Sequence, residues 1–126
     1  CIREAADWTC ECCGKKYEEN SSALHASHYF SRRHKATRFC PDNVFAHCYG
    51  CHQKLGGNPD DFYRWMVNKV GEAMLEILRE KRNDIGLAKT INKNKKDVAR
   101  HYREEYKRIK AVREAGAVGF IDIIEY

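Results

Sequence analysis

The sequence lacks the features of a membrane or secreted protein. It has no run of about 18 apolar residues, which excludes a transmembrane helix, and no basic and then apolar leader, which predicts that it carries no signal peptide. Internal repeats and low-complexity tracts are also absent. We therefore expect an intracellular protein with no membrane partner, in surroundings whose reducing conditions disfavour disulfides.

The chain does have an uneven charge over a modest length. Its 126 residues suggest one domain with one modest core. The formal net charge is +5. Ten basic and three acidic residues between Leu87 and Arg113 give that stretch +7, so the rest of the chain sums to −2. A basic excess in the last third permits a polyanionic partner but does not prove one.

A change of composition after residue 57 separates a part rich in Cys and His from a helical part. Asn58 is a good helix N-cap, and Pro59 suits the first helical position. Apolar residues spaced by three and four then predict one helix that ends near Asn83. A turn follows, and a second helix is predicted to begin within residues 87–94.

Two CxxC pairs dominate the first part of the chain: Cys10, Cys13, Cys48 and Cys51. Each pair forms a tight knuckle, and two knuckles place four thiolates around one tetrahedral zinc ion. Gly14 and Gly50 are expected to supply backbone freedom at the knuckles. Cys12 is a competing ligand with poorer spacing, and Cys40 is interpreted as a small buried residue. Four thiolates leave no open position, so the zinc is predicted to be structural.

Five of the six histidines lie between positions 25 and 52. The polarity of this segment predicts a strand over Leu24–Phe30, a return strand over Asn43–His47 and a short helix from the second knuckle. On the first strand His25 and Ser27 share one face, and His28 takes the other. The short helix carries His52.

The order His28, Asn43, Cys48-x-x-Cys51-His52-x-Lys54 resembles the HNH nucleases, which form the ββα-metal (His-Me) finger superfamily. The nine-residue step from Asn43 to His52 is similar to the step in that family. The fuller string His-Ala-Ser-His-Tyr-x-Ser-Arg, then Arg-Phe-x-x-x-Asn-Val, then Cys-x-x-Cys-x-x-x-x-Gly-Gly-Asn is similar to the NinG (Rap) recombination nucleases of lambdoid phages. The resemblance covers roughly residues 8–66.

The resemblance implies an α+β fold with one domain overall. Residues 1–57 would form a zinc-stabilised ββα-metal finger. Mostly outside the resemblance, the apolar periodicity predicts that residues 58–117 form two long antiparallel α-helices that pack on this finger, with a basic second helix. Residues 118–126 form an apolar tail, for which a strand, a partner contact and a docked chain end all remain open.

The resemblance also implies a role for each residue of the motif. His28 would be the general base that activates water, and Asn43 would orient the loop and the His28 ring. His52 would ligate one catalytic divalent cation, Mg²⁺ or a relative. Many HNH nucleases have a metal-binding Asp where this chain has Ser27. We propose His25, on the same strand face, as the substitute ligand, which would favour Mn²⁺, Ni²⁺ or Zn²⁺ over Mg²⁺.

Basic residues in three places are predicted to contact DNA phosphates, chiefly through the backbone and not the bases. They are Arg32, Arg33, Lys35 and Arg38 in the hairpin loop, Lys54 in the short helix, and Lys93, Lys95, Lys96, Arg100, Arg103 and Lys107 in the second helix. Solvated charge is the alternative for each group. We interpret His47 as a packing residue or a neighbour of the metal ligands, His34 as solvent-exposed or close to a phosphate, and His101 as a surface residue. Aromatic residues such as Phe39 are interpreted as packing.

The function that the resemblance implies is metal-dependent hydrolysis of DNA by an HNH-type endonuclease or nickase. The NinG-like string suggests a branched or recombination-intermediate substrate and, for a phage-encoded protein, the bacterial host cytoplasm. Double-strand cleavage would need a homodimer, and the apolar tail is a candidate contact. Ser27 favours the alternative of a non-catalytic, zinc-bound DNA-binding module. A zinc-stabilised protein-interaction domain would leave the histidines and Asn43 unexplained.

Overall fold

The computed structural model describes residues 1–126 as a mixed α+β protein, which confirms the predicted class. Its elements in chain order are α1 (Ile2–Ala5), β1 (Leu24–His28), β2 (Val44–Cys48), α2 (Tyr49–Gly56), α3 (Pro59–Val70), α4 (Glu72–Arg82), α5 (Ile85–Lys93) and α6 (Lys95–Glu114). A 3-10 turn, Pro41–Asn43, leads into β2. None of the helices combines the length and the apolar character that crossing a bilayer requires.

The two strands form an antiparallel hairpin that positions the histidines. Leu24 pairs with Cys48 at one end of the hairpin, and His28 pairs with Val44 at the other. Strand β1 ends two residues before the predicted Phe30. The reason is local, because the Phe30 backbone N–H donates to the side-chain oxygen of Asn43 and not to a neighbouring strand. Helix α2 starts at the second knuckle, as the sequence predicts.

The prediction of one continuous helix from Pro59 to the region of Asn83 is wrong. Gly71 has φ 86° and ψ 160°, a conformation essentially confined to glycine, and it separates α3 from α4. The N-terminal cap is confirmed, because the Asn58 side chain accepts a hydrogen bond from the Asp61 N–H. The apolar periodicity continues across Gly71, so the sequence pattern alone does not reveal the break.

The second predicted helix is also two helices. Helix α5 begins under an N-cap by Asp84, whose side chain accepts from the Leu87 N–H at 2.9 Å. It ends at Lys93, and α6 starts after Asn94. Four helices therefore follow residue 58, where two long antiparallel helices were predicted.

The core consists of two hydrophobic clusters on opposite sides of the hairpin. The larger cluster joins the hairpin to α2, α3 and α4 and contains Phe30, Cys40, Phe45, Leu55, Phe62, Met66, Leu75 and Leu78. The smaller one joins the N-terminal segment to the hairpin and contains Ala6, Trp8, Cys10, Leu24, Ala46 and Cys48. Cys40 is 3% exposed, as predicted. The hairpin is thus held from both faces.

The tail after α6 docks on its own chain without forming a strand. The Ile121 N–H donates to the Ala5 carbonyl at 2.9 Å, and the Ile124 N–H donates to a carboxylate oxygen of Glu105 at 2.9 Å. Arg108 donates to the Asp122 carbonyl at 2.8 Å. Residues 118–126 are therefore a docked chain end and not a strand.

Candidate active site and metal centre

The four cysteines of the two CxxC pairs come together at the N-terminal end of α2. The sulfurs of Cys10, Cys13, Cys48 and Cys51 all lie within 4.8 Å of one another. The Cys13 and Cys48 sulfurs are 3.9 Å apart. Four bonds of about 2.3 Å at tetrahedral angles place sulfurs about 3.8 Å apart. The cluster therefore fits a structural zinc ion.

The backbone around the cluster supports thiolate ligands. The amides of Cys13 and Cys48 both point at the Cys10 sulfur, at 3.5 and 3.3 Å. Gly14 has φ 78° and so has the freedom predicted for it, whereas Gly50 has no positive φ and needs none. Cys12 is outside the four-sulfur group, as its spacing predicts.

Asn43 clamps the hairpin loop. Its side chain is fully buried, accepts from the Phe30 N–H at 2.8 Å, and donates to the carbonyls of Phe30 and Thr37 at 3.1 Å each. These three bonds tie the residues just after β1 to the middle of the loop. Asn43 thereby determines the course of the chain around His28.

His28 lies at the end of β1, where this loop begins. Its Nε2 is 2.9 Å from the Arg38 carbonyl oxygen. Because a carbonyl only accepts, Nε2 carries the proton of the neutral ring, and Nδ1 keeps a free lone pair. The loop that Asn43 clamps thus orients the His28 ring so that Nδ1 is the nitrogen that can accept a proton.

The surroundings of His28 favour its neutral form. Burial lowers the pKa of His28 below its ordinary value of 6.5, and the charges of Arg32 and Arg38 lower it further. The hydrogen bond to the Arg38 carbonyl opposes this shift without cancelling it. The surroundings of the ring therefore favour the neutral form, which is the form that can accept a proton.

On the other face of the hairpin, His25 and Ser27 meet His52 of α2. The rings of His25 and His52 are stacked, with centroids 5.5 Å apart and planes 8° apart. His52 Nδ1 is 3.1 Å from the Ser27 hydroxyl oxygen, which leaves Nε2 without a hydrogen-bond partner. The structure thus brings the two predicted catalytic-metal ligands together. An ion lies in the plane of each imidazole that binds it, so ligation by both rings requires one of them to turn.

The roles that the resemblance implies for His28 and His52 require both rings to act at one phosphodiester bond, but the structure does not bring the two rings together. The two rings are not in contact, because adjacent residues Ser27 and His28 project to opposite faces of β1. His28 instead borders a shallow cavity shared with Leu55 and Gly56, about one helical turn beyond His52 on α2. Helix α2 therefore reaches both sides of the candidate site.

His47 is fully buried, and neither ring nitrogen has a hydrogen-bond partner. The ring lies edge-on against Trp65, with centroids 4.7 Å apart, and near Phe45 and Phe62. Burial lowers the pKa of His47 to about 4, and His52 and Lys69 contribute. These contacts agree with the predicted packing role.

All the predicted DNA contacts except Arg38 are solvent-exposed, but they fall in separate places. Arg32, Arg33 and Lys35 project from the hairpin loop, and Arg38 is half-buried. The exposed positions on the helices are Lys54, Lys93, Lys95, Lys96, Arg100, Arg103 and Lys107. Arg100 and Lys107 are within 4.0 and 3.5 Å of Asp97 and Glu104. Exposed pairs of this kind contribute little to stability and leave the cations accessible.

The structure adds residues that the sequence did not single out. Arg33 and Lys35 line an open groove together with Arg82 and Lys89, so the loop meets α4 and α5. Phe39, assigned to packing, is 39% exposed, and the Arg38 guanidinium lies 5.1 Å from its ring centroid. Only folding brings these distant positions together, and no local pattern signals it.

A second group with potential metal ligands does not form a convincing site. Cys40, Asp42 and Glu125 lie close together. Burial raises the pKa of the Cys40 thiol to about 12, and Glu125 adds to the effect. The Lys81 Nζ forms an ion pair with the Glu125 carboxylate at 3.1 Å. A neutral thiol and a carboxylate already paired with lysine are poor cation ligands.

The fold and these sites define a small α+β protein built on a β-hairpin, with a four-cysteine cluster suited to zinc. The family model of the bacteriophage lambda NinG protein matches residues 1–114, and the chain belongs to this family. The match contains both CxxC pairs, the hairpin and all six helices, and it stops before the tail. No curated protein and no solved structure matches the chain.

Proposed function

We propose that this protein is a metal-dependent HNH-type DNA endonuclease or nickase. The observation that carries the proposal is the clamped His28, whose Nε2 is hydrogen-bonded to the Arg38 carbonyl and whose Nδ1 is free. A base held in one tautomer beside arginines suits hydrolysis of an anionic phosphodiester. Membership of a phage family supports branched or recombination-intermediate DNA in the bacterial host as the setting.

In this proposal the residues that activate water lie on one face of the hairpin, and the residues that would hold the metal lie on the other. His28 Nδ1 accepts the proton of the attacking water, while Asn43 maintains the loop and ring orientation. Arg32 and Arg38 hold the phosphate near the ring. His52 and His25 would hold a divalent cation of the Mg²⁺, Mn²⁺ or Ni²⁺ type, which when bound stabilises the leaving oxygen and the charge on phosphorus. The products are 5′-phosphate and 3′-hydroxyl ends.

The donor set of the second face supports a nitrogen-preferring metal. Two imidazoles and a neutral hydroxyl contain no carboxylate, and imidazole suits Mn²⁺, Ni²⁺ or Zn²⁺ better than Mg²⁺. We therefore expect Mn²⁺ or Ni²⁺ to support cleavage better than Mg²⁺. Equal or greater activity with Mg²⁺ would contradict the assignment of His25.

A nicking assay on supercoiled plasmid tests the proposal, with the zinc-loaded protein and added Mg²⁺, Mn²⁺ or Ni²⁺. His28→Ala should lower the rate by at least about a hundredfold, the lower range of general-base contributions. His101→Ala is the matched control, because His101 lies on α6 and contacts the Ile124 carbonyl. Nicking that survives His28→Ala unchanged would overturn the proposal.

The second candidate is a zinc-bound DNA-binding module without catalysis. Ser27 favours it, because this hydroxyl is 1% exposed and already bonded to His52. Binding of DNA without nicking under any of the three metals would support the module. Binding with His28-dependent nicking would exclude it.

A further inference from the structure

An open cavity of about 220 Å³ lies beside His28, on the hairpin face opposite to His52. Its apolar lining comes from both strands, the loop, α6 and the docked tail: Ala26, Val44, Phe39, Pro41, Tyr102 and Ile123. The hydrolysis proposed above makes no use of this apolar space.

Cations border the cavity on the side of the candidate base. Arg32 and Arg38 line it together with His28. The Arg38 guanidinium lies over the Phe39 ring, and its Nε is buried without a hydrogen-bond partner. An aromatic surface that is 39% exposed therefore lies next to a guanidinium and an imidazole.

The combination of linings limits the occupant. A free phosphate would make no favourable contact with the apolar floor. A purely apolar molecule would leave the two arginines without an anionic partner. A nucleotide satisfies both, with its base on the floor and its phosphate at the arginines. The cavity is smaller than the about 300–1,000 Å³ typical of pockets for drug-sized molecules, so it suits one ring system and not a base pair.

We propose that this cavity, the Ala26 cavity, binds one unpaired nucleobase of DNA next to the phosphodiester bond at His28. The inference rests on the proposed function and specifies its substrate as DNA with an unstacked nucleotide at the cut. An aromatic side chain stacks on any base regardless of sequence. Because an unpaired base is the easiest to unstack, branch points and bulges are selected over plain duplex.

The test fills the cavity without touching the candidate catalytic residues. Ala26 is exposed on the cavity floor, so Ala26→Phe fills the space. Ala23→Phe is the matched control, because Ala23 is exposed just before the same strand and does not line the cavity. Phe39→Ala removes the stacking surface from an exposed position and decides the question if Ala26→Phe does not fold.

Binding is measured without added divalent metal, on a duplex and on the same duplex with a one-nucleotide bulge that carries 2-aminopurine. The wild type should bind the bulged DNA about tenfold more tightly, the size of effect that one stacked base gives. The fluorescence of the 2-aminopurine should change on binding. Ala26→Phe and Phe39→Ala should lose both effects, and Ala23→Phe should keep them.

The outcomes separate the two proposals. Binding of both DNAs without a preference, or a preference that survives Ala26→Phe and Phe39→Ala, overturns the nucleobase cavity and leaves the nuclease proposal intact. Loss of the preference in Ala23→Phe as well overturns it too. Absence of binding to either DNA overturns the proposed function, and the cavity inference with it.

Discussion

At the scale of single residues, Asn43 and His28 depend on each other. Asn43 makes three buried hydrogen bonds to the loop backbone, and that loop presents the Arg38 carbonyl to His28. The side chain of one residue therefore sets the tautomer of another without contacting it. Each half of this arrangement can be tested separately.

Asn43→Ala should lower the free energy of unfolding by about 2–4 kcal/mol, because it leaves the buried N–H and C=O of Phe30 without partners and removes one of the two hydrogen bonds to the Thr37 carbonyl. Urea denaturation of the zinc-loaded protein measures the change. Asn92→Ala, at an exposed position of α5, should stay within about 0.5 kcal/mol of the wild type. A loss below about 1 kcal/mol for Asn43→Ala would contradict the clamp.

The pH dependence of cleavage should report the lowered pKa of His28. In the proposed mechanism the neutral ring is the active form, so the single-turnover rate of cleavage should fall only below pH 6.5, as acid protonates the ring. Arg32→Gln removes one of the charges that depress this pKa. The acid limb of the pH–rate profile of this variant, where the rate falls with falling pH, should therefore move to higher pH, towards 6.5.

Arg64→Gln is the control, because Arg64 is exposed on α3 and pairs with Asp61. Its pH profile should superimpose on that of the wild type. An acid limb of the wild type above pH 6.5 would exclude His28 as the base in this environment.

At the scale of secondary-structure elements, one glycine decides how the helical half is arranged. Gly71 separates α3 from α4, so Met66 on one helix and Leu75 and Leu78 on the other can enter the same hydrophobic cluster. In a single straight helix, Leu75 and Leu78 would lie beyond the hairpin and would not reach this cluster.

Gly71→Ala should lower the free energy of unfolding by about 1–3 kcal/mol, because φ 86° with ψ 160° is strained for any residue with a side chain. No atom lies within 4 Å of the added Cβ, so the effect comes from the backbone alone. Gly56→Ala, at the last residue of α2 with an equally open Cβ position, should instead stabilise by roughly 0.5 kcal/mol. Thermal unfolding of both variants provides the comparison, and equal effects would contradict it.

The exposed start of α6 allows a direct test of DNA-backbone contact. Reversing the charge of Lys95 and Lys96 together (Lys95→Glu, Lys96→Glu) should weaken DNA binding. The slope of log K against log salt should fall by about 0.9 for each DNA phosphate that the variant no longer neutralises. Chemistry at saturating DNA should not change. Charge reversal of Lys15 and Lys16, an adjacent exposed pair near the N-terminus, is the control, because it changes the net charge of the chain by the same amount. Equal effects of both pairs would indicate net charge and not a site.

At the scale of the whole molecule, the four-cysteine cluster joins the N-terminal segment to the hairpin and α2. The smaller hydrophobic cluster contains two of its members, Cys10 and Cys48. A metal that organises a site also stabilises the fold, in zinc-finger peptides by about 10–16 kcal/mol. Loss of zinc should therefore unfold the hairpin, and any activity with it.

Zinc content should distinguish Cys13 from its neighbour. The wild type and Cys12→Ser should each retain one zinc ion per chain after dialysis, because Cys12 lies outside the four-sulfur group. The Cys13→Ser variant should lose most of its zinc and should have a lower melting temperature than the wild type. Elemental analysis with circular dichroism measures both effects. Equal retention by the two variants would contradict the assignment of ligands.

The sequence by itself determined the features that depend on short stretches of chain. The CxxC spacing predicted the four-sulfur group, because the geometry of a knuckle is local. Asn58 and Pro59 predicted the start of α3, because a cap acts within one turn. The alternation of β1 separated His28 from His25 and Ser27, because strand faces alternate with every residue.

Only the tertiary structure decided the features that join distant segments. The break at Gly71 interrupts a periodicity that is continuous in the sequence, since a helical pattern tolerates a single glycine. The pairing of His28 with the Arg38 carbonyl depends on a loop closed by Asn43. The Ala26 cavity requires the strands, α6 and the tail at once. No local pattern encodes such assemblies, because they exist only when packing brings residues far apart in the chain against one another.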